Sequence, residues 1–143
     1  MSWWECKMKV IDLEGNQVNW KMEGVIGATA MMRSRSKLHL RCRQILYEMF
    51  PTMQIAEEVL VNVRPSSRQY FDFYINKIKL VVEVNGQQHY KFNSLFHSTP
   101  RDFLYQRKLD NDKREWCAIN NITIIELPYD EEDYLWIQRI KNR

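Results

Sequence analysis

The 143 residues are 45% hydrophobic and 27% charged, which suits one folded domain and excludes wholesale disorder. No apolar run approaches the ~18 residues of a membrane-spanning helix, and the opening Met-Ser-Trp-Trp-Glu-Cys does not read as a signal peptide. The three scattered cysteines (Cys6, Cys42, Cys117) predict a reducing compartment rather than a disulfide framework, and the formal charge of +3 is too small to define a class.

Residues 3–22 read as a β-hairpin. Lys7–Leu13 and Gln17–Met22 flank the turn signal Glu14-Gly15-Asn16. Trp3, Trp4 and Trp20 fall here, able either to seal the hairpin onto a core or to stack on a partner. Gly24–Thr29 is a small-residue connection. A helix follows from Ser34 to Met49, with Leu38, Cys42, Ile45, Leu46 and Met49 on one apolar stripe and Arg35, His39 and Arg43 on a basic one. Met31–Arg43 holds five bases and no acid, whereas Glu126–Asp133 holds five acids and no base; without that stretch the chain would carry 21 bases against 13 acids. A basic segment of this kind suggests a polyanionic partner, or simply a solvated face.

Three strands are predicted next: Ile55–Val63, Tyr70–Ile75 and Lys79–Asn85, with a turn at Arg64–Arg68. A second helix is expected over Asp102–Asn120, a last strand over Ile122–Leu127 and a short helix within Asp130–Lys141. The order gives an α/β fold: an αβββαβ core around a central mixed sheet, with a crossover helix returning the last strand. One domain is expected, with 1–24 as a hairpin extension, 34–128 as the core and 129–143 as a tail or short helix.

The sharpest clue lies in the middle hairpin. A turn centred between Lys77 and Ile78 sets Asp72 opposite Glu83. Each is flanked by apolar residues, Phe71 and Phe73 or Val82 and Val84. Two facing carboxylates in such strands repel unless a cation lies between them, and oxygen ligands select Mg²⁺ or Mn²⁺. Asn85 shares the face of Glu83, and Gln88 and His89 follow at the same sheet edge, where they could hold a phosphate, orient water or move a proton.

These strings, Asp72-Phe73-Tyr74, Lys79 to Gly86 and Gln88-His89-Tyr90, resemble the PD-(D/E)XK nuclease superfamily, in the branch of the very-short-patch repair and phage EDxHD homing endonucleases. Lys108–Cys117 with Asn121–Ile125, Ser36–His39 and Glu57-Glu58-Val59 are similar to the same branch. The resemblance covers residues 34–128 and implies a restriction-endonuclease-like core and metal-dependent hydrolysis of DNA phosphodiesters, by nicking or double-strand cutting. It implies Asp72, Glu83 and the Val84 carbonyl as ligands of Mg²⁺ or Mn²⁺. Asn85 stands where the superfamily usually has lysine, and an amide is no base at neutral pH. Either Gln88 and His89 replace it, or the metal alone activates water, or the protein is inactive. His39 and Glu57 are further catalytic candidates, with Glu58 exchanging for Glu57 across a bulge; Asp110 and His97 are weaker ones.

The resemblance also implies DNA as partner, held by Arg35, Lys37, Arg41, Arg43 and Lys91. It implies phage or mobile-element origin, the cytoplasm of a bacterial host cell, and a possible homodimer or further phage or host protein partner, with no membrane. Two other readings stand beside the nuclease: a catalytically silent module binding DNA or protein, and a Holliday-junction-resolving enzyme.

Overall fold

The computed structural model describes residues 7–31, 35–90 and 97–143. Two strands, β1 (Met8–Ile11) and β2 (Gln17–Trp20), form the hairpin. Its turn is held by Asp12, whose Oδ1 accepts from the Glu14 and Asn16 amides at 2.9 Å, while Gly15 takes the positive φ of 86°. A short helix α1 (Gly27–Met31) occupies part of the expected connection. Helix α2 (Lys37–Met49) begins later than the predicted Ser34, because the Ser36 hydroxyl caps it by accepting from the His39 amide at 3.1 Å. Ser34 itself lies outside the described residues.

The remaining elements are β3 (Ala56–Arg64), β4 (Ser67–Ile75), β5 (Leu80–Asn85), α3 (Pro100–Ile119), β6 (Thr123–Pro128) and α4 (Asp133–Lys141). The sheet runs β3-β4-β5-β6, antiparallel except for the parallel β5/β6 pair that α3 connects. The chain is thus a mixed α/β fold, a four-stranded mixed sheet plus a two-stranded hairpin. A capping box between Thr99 and Asp102 starts α3, with Pro100 fixing its first turn.

Each sheet face carries its own core. On one, α2 and α4 lay Cys42, Leu46, Trp136 and Ile140 over Phe73, Ile75, Leu80 and Val82. On the other, α3 and the hairpin bring Trp116, Cys117, Val10 and Trp20 onto Val59, Phe71, Tyr74 and Val81. Trp20 seals the hairpin: its ring meets Trp116 edge-on at 5.0 Å, and its Nε1 donates to the Leu60 carbonyl at 2.8 Å. Trp3 and Trp4 lie outside the described residues.

Strand periodicity breaks at one place, and that break positions the candidate site. Residues two apart on a strand should face one layer. Phe71 instead packs under Trp116, while Phe73 packs under α2 against His39. On β3, Val59 faces the α3 side and Glu57 faces α2. The register holds across this stretch, Glu57 opposite Phe73 and Val59 opposite Phe71, and shifts only further along, between Asn62 and Arg64, so both strands roll over at the intervening Glu58 and Asp72. Glu58 takes φ 51°, a left-handed conformation that permits the roll.

Candidate functional site

The β4–β5 ladder follows the expected register, with Phe73, Tyr74 and Ile75 opposite Val82, Val81 and Leu80. It ends one pair short of Asp72 and Glu83. There each carboxylate replaces a ladder bond: the Asp72 amide donates to Glu83 Oε2 at 2.8 Å, and the Val84 amide donates to Asp72 Oδ2 at 2.8 Å. The two acids are thus laced into the seam between the strands, where the Asp72 and Glu83 side chains also lie within hydrogen-bond reach of each other. Burial first, and the Glu83 charge second, push the Asp72 carboxyl up to about 8.

A third member was absent from the sequence reading. Lys113, on α3, donates to Glu83 Oε1 at 2.5 Å and to the Tyr70 carbonyl at 2.6 Å. Burial pulls its ammonium down, but Glu83, with Asp72 and Asp110 behind it, outweighs this and holds its pKa above the ordinary lysine range. The next residue, Arg114, grips Glu126 at 2.9 Å, and Glu126 pairs with Glu83 across the parallel strands. Consecutive bases of α3 thus neutralise neighbouring acids of β5 and β6.

The stripe of α3 that carries Lys113 is polar for much of its length. Gln106, Asp110 and Lys113 recur at spacings of four and three, so they share one face. Asp110 Oδ2 lies 2.9 Å from His89 Nδ1, Gln106 Nε2 lies 3.5 Å from His89 Nε2, and Gln106 Oε1 lies 2.7 Å from His97 Nε2. These contacts are mutually consistent when His97 donates to Gln106, Gln106 donates to His89 Nε2, and His89 Nδ1 donates to Asp110. The basic nitrogen of His89 is then Nε2, the one with the long, weak contact. Such a polar inward stripe is the signal that marks α3 in the sequence.

Glu57 and His39 form a separate cluster on the α2 side. Glu57 is 0% exposed and accepts from Arg43 Nε and Nη2, both at 2.9 Å, while His39 Nε2 sits 2.6 Å from its Oε1. Burial would raise the Glu57 carboxyl, but these two partners overcome it and hold the group below the ordinary range. His39 also stacks on Phe73 at 4.4 Å. Both residues are engaged with each other and with Arg43 instead of with Asp72 and Glu83. Cys42, in the core on the α2 side, feels both clusters: burial, then the charges of Asp72, Glu57 and Glu83, drive its thiol well above the ordinary range.

Asn85 is buried, and its side chain hydrogen-bonds Tyr90. The Gln88 side chain and Lys91 lie outside the described residues. The basic stripe of α2 is largely occupied inside the molecule, because acids packed around it offer closer partners than solvent phosphates. Arg43 holds Glu57, Arg35 meets Glu58 at 2.5 Å, and Arg41 pairs with Asp133 and lies 3.7 Å over the Trp136 ring. Lys37 is exposed, as are Arg101 and Lys108 on α3.

The donor set suits a hard divalent ion. Once Asp72 has released its proton, Asp72 and Glu83 offer two carboxylates against one lysine. Among the described residues no third His, Cys, Asp or Glu joins them as a metal cluster. Mg²⁺ keeps most of its waters and is held by one or two carboxylates, whereas zinc needs a fuller protein cage.

No family model and no solved structure matches the chain. Three viral proteins are similar to it. "Uncharacterized protein 307L" of Invertebrate iridescent virus 6 is 48% identical over 62 residues, 43% of this chain and 32% of that protein. "Uncharacterized protein 033L" of Invertebrate iridescent virus 3 is 33% identical over 96 residues, 66% of this chain and 50% of that protein. "Uncharacterized protein 094L" of Frog virus 3 is 29% identical over 127 residues, 87% of this chain and 82% of that protein. The matches thus span about a third and a half of the first two relatives. All three come from viruses of invertebrates or frogs, so they lend no support to the expected phage origin and bacterial host. Among the described residues no helix is long and apolar enough to cross a membrane.

Proposed function

We propose that the protein is a metal-dependent DNA endonuclease with a restriction-endonuclease-like core. The observation that carries this reading is the Asp72–Glu83 pair, two acids laced together where the β4–β5 ladder ends, with Asp72 held protonated by burial and by its neighbour's charge. The element order α2-β3-β4-β5-α3-β6 and the parallel β5/β6 pair are consistent with it.

Asp72, Glu83 and the Val84 carbonyl would hold Mg²⁺ or Mn²⁺. When bound, the ion supplies charge neutralisation at the scissile phosphate and lowers the pKa of water. His89, held by Asp110 in the tautomer that leaves Nε2 basic, takes a proton from the attacking water. Asn85 has no such part, since its amide is bonded to Tyr90 and cannot act as a base. Lys37, Arg101 and Lys108 are exposed and suited to flanking phosphates.

A supercoiled plasmid tested with Mg²⁺ or Mn²⁺ decides the matter. Nicking or linearisation is expected from the wild type, with a loss of at least ~100-fold in Asp72→Ala and in Glu83→Ala. Binding without cleavage under either ion would instead favour the silent-module reading, for which the Lys113–Glu83 ion pair and Asn85 speak. Preference for a four-way junction over linear duplex would identify a junction resolvase.

A further inference from the structure

We propose that Lys113 is a displaceable counter-cation of the site. A divalent ion competes with it for Glu83, and the released ammonium, still anchored on Tyr70, turns to the phosphate. This rests on the nuclease reading and adds a residue and an exchange step to it.

Both oxygens of Glu83 are already engaged, Oε2 by the Asp72 amide and Oε1 by Lys113. A cation that reaches Glu83 must share or displace one of these partners. The Asp72 amide belongs to a strand fixed in the sheet and cannot withdraw. Lys113 ends a flexible four-carbon arm and can. Charge points the same way. With a divalent ion bound to both carboxylates in their ionised form, the cluster carries +1 if Lys113 stays and zero if Lys113 withdraws. In a buried setting the neutral arrangement is favoured.

The ammonium also has a pivot. One N–H holds the Tyr70 carbonyl at 2.6 Å and a second holds Glu83. The third has no partner among the described residues. The Phe71 ring, 5.8 Å from Nζ, gives the cation a second favourable contact that does not depend on Glu83. Release from Glu83 therefore leaves the side chain on Tyr70 and Phe71, with two donors turned to an anionic substrate. That would supply near the site the positive charge that Asn85 cannot.

The test pairs Mn²⁺ binding without DNA, by calorimetry, with single-turnover plasmid nicking at saturating Mn²⁺. Lys113→Met, and the milder Lys113→Gln that can still donate to Tyr70, are compared with wild type after near-UV circular dichroism has confirmed a native aromatic core. Opposite movements are expected: Mn²⁺ binds about tenfold tighter, while nicking slows about 100-fold. Unchanged or weaker Mn²⁺ binding in a folded variant overturns the competition. Tighter binding with wild-type nicking overturns the transfer to phosphate. A wild type that neither binds Mn²⁺ nor cuts DNA refutes the nuclease reading itself, and this inference with it. A structural role alone would not tighten metal binding.

Discussion

Two buried acidic clusters lie on either side of one sheet, and they are balanced in opposite ways. On the α2 side a single carboxylate, Glu57, has both Arg43 and His39. On the α3 side two carboxylates, Asp72 and Glu83, share Lys113. The first has its carboxyl pulled below the ordinary range and the second has one pushed up to about 8. The difference teaches which buried acids hold a fold together and which are left short of charge. Glu57 braces β3 against α2. Asp72 and Glu83 disfavour each other's charge, and without a further cation Asp72 is kept protonated well above the ordinary carboxylate range.

The largest expected effect is at the balanced cluster. Glu57→Gln leaves Arg43 buried without its counter-charge and should cost about 3–5 kcal/mol of stability, read from urea unfolding. A loss below ~1 kcal/mol would show that the cluster is not a brace.

The strained cluster should respond in the other direction. Between the ordinary value of 3.8 and about 8, folded Asp72 keeps a proton that the unfolded chain has released. Stability without metal therefore falls as pH rises through that window and levels off above it. Glu57 has the opposite sign: its contribution is present above its ordinary 4.5 and is lost as pH falls through its lowered value. Asp72→Asn imitates the protonated acid. At pH 8 in EDTA it should stabilise the protein by on the order of a few kcal/mol and flatten the pH slope above 5. An unaltered slope in the mutant would remove Asp72 as the cause.

The smallest effect concerns the thiol packed in the α2-side core. Cys42 is buried and its thiol is held well above the ordinary range by burial and by the acids around it. Alkylation at pH 8, followed by peptide mass spectrometry, should be slow at Cys42 and should quicken a few-fold in Glu57→Gln as local opening becomes easier. Equal rates in the two proteins would mean that Glu57 does not control access to that layer.

Much of the fold was legible because its signals are local. Turn chemistry located the first hairpin, and the arithmetic of the Lys77 turn gave the true register of β4 and β5. The roll at Glu58 and Asp72 was not legible, since it depends on two strands yielding together against different layers. Neither was Lys113, which stands 30 positions from Glu83 and meets it only after the crossover helix has docked. The partners of the basic residues on and before α2 were not legible for a related reason. Charge along a helix does not reveal which acids fold against it, and here Glu57, Glu58 and Asp133 do.

The crossover has one more consequence, for the order in which the chain is made. Leu80-Val81-Val82-Glu83-Val84 leaves the ribosome well before Lys113 and before β6, the strand that covers its open edge. Until then β5 is an apolar edge of the kind that recruits neighbouring chains. The unneutralised charges of Asp72 and Glu83 repel such partners. The acids proposed to serve the finished protein would thus first serve as gatekeepers, keeping the unfinished chain apart from its copies.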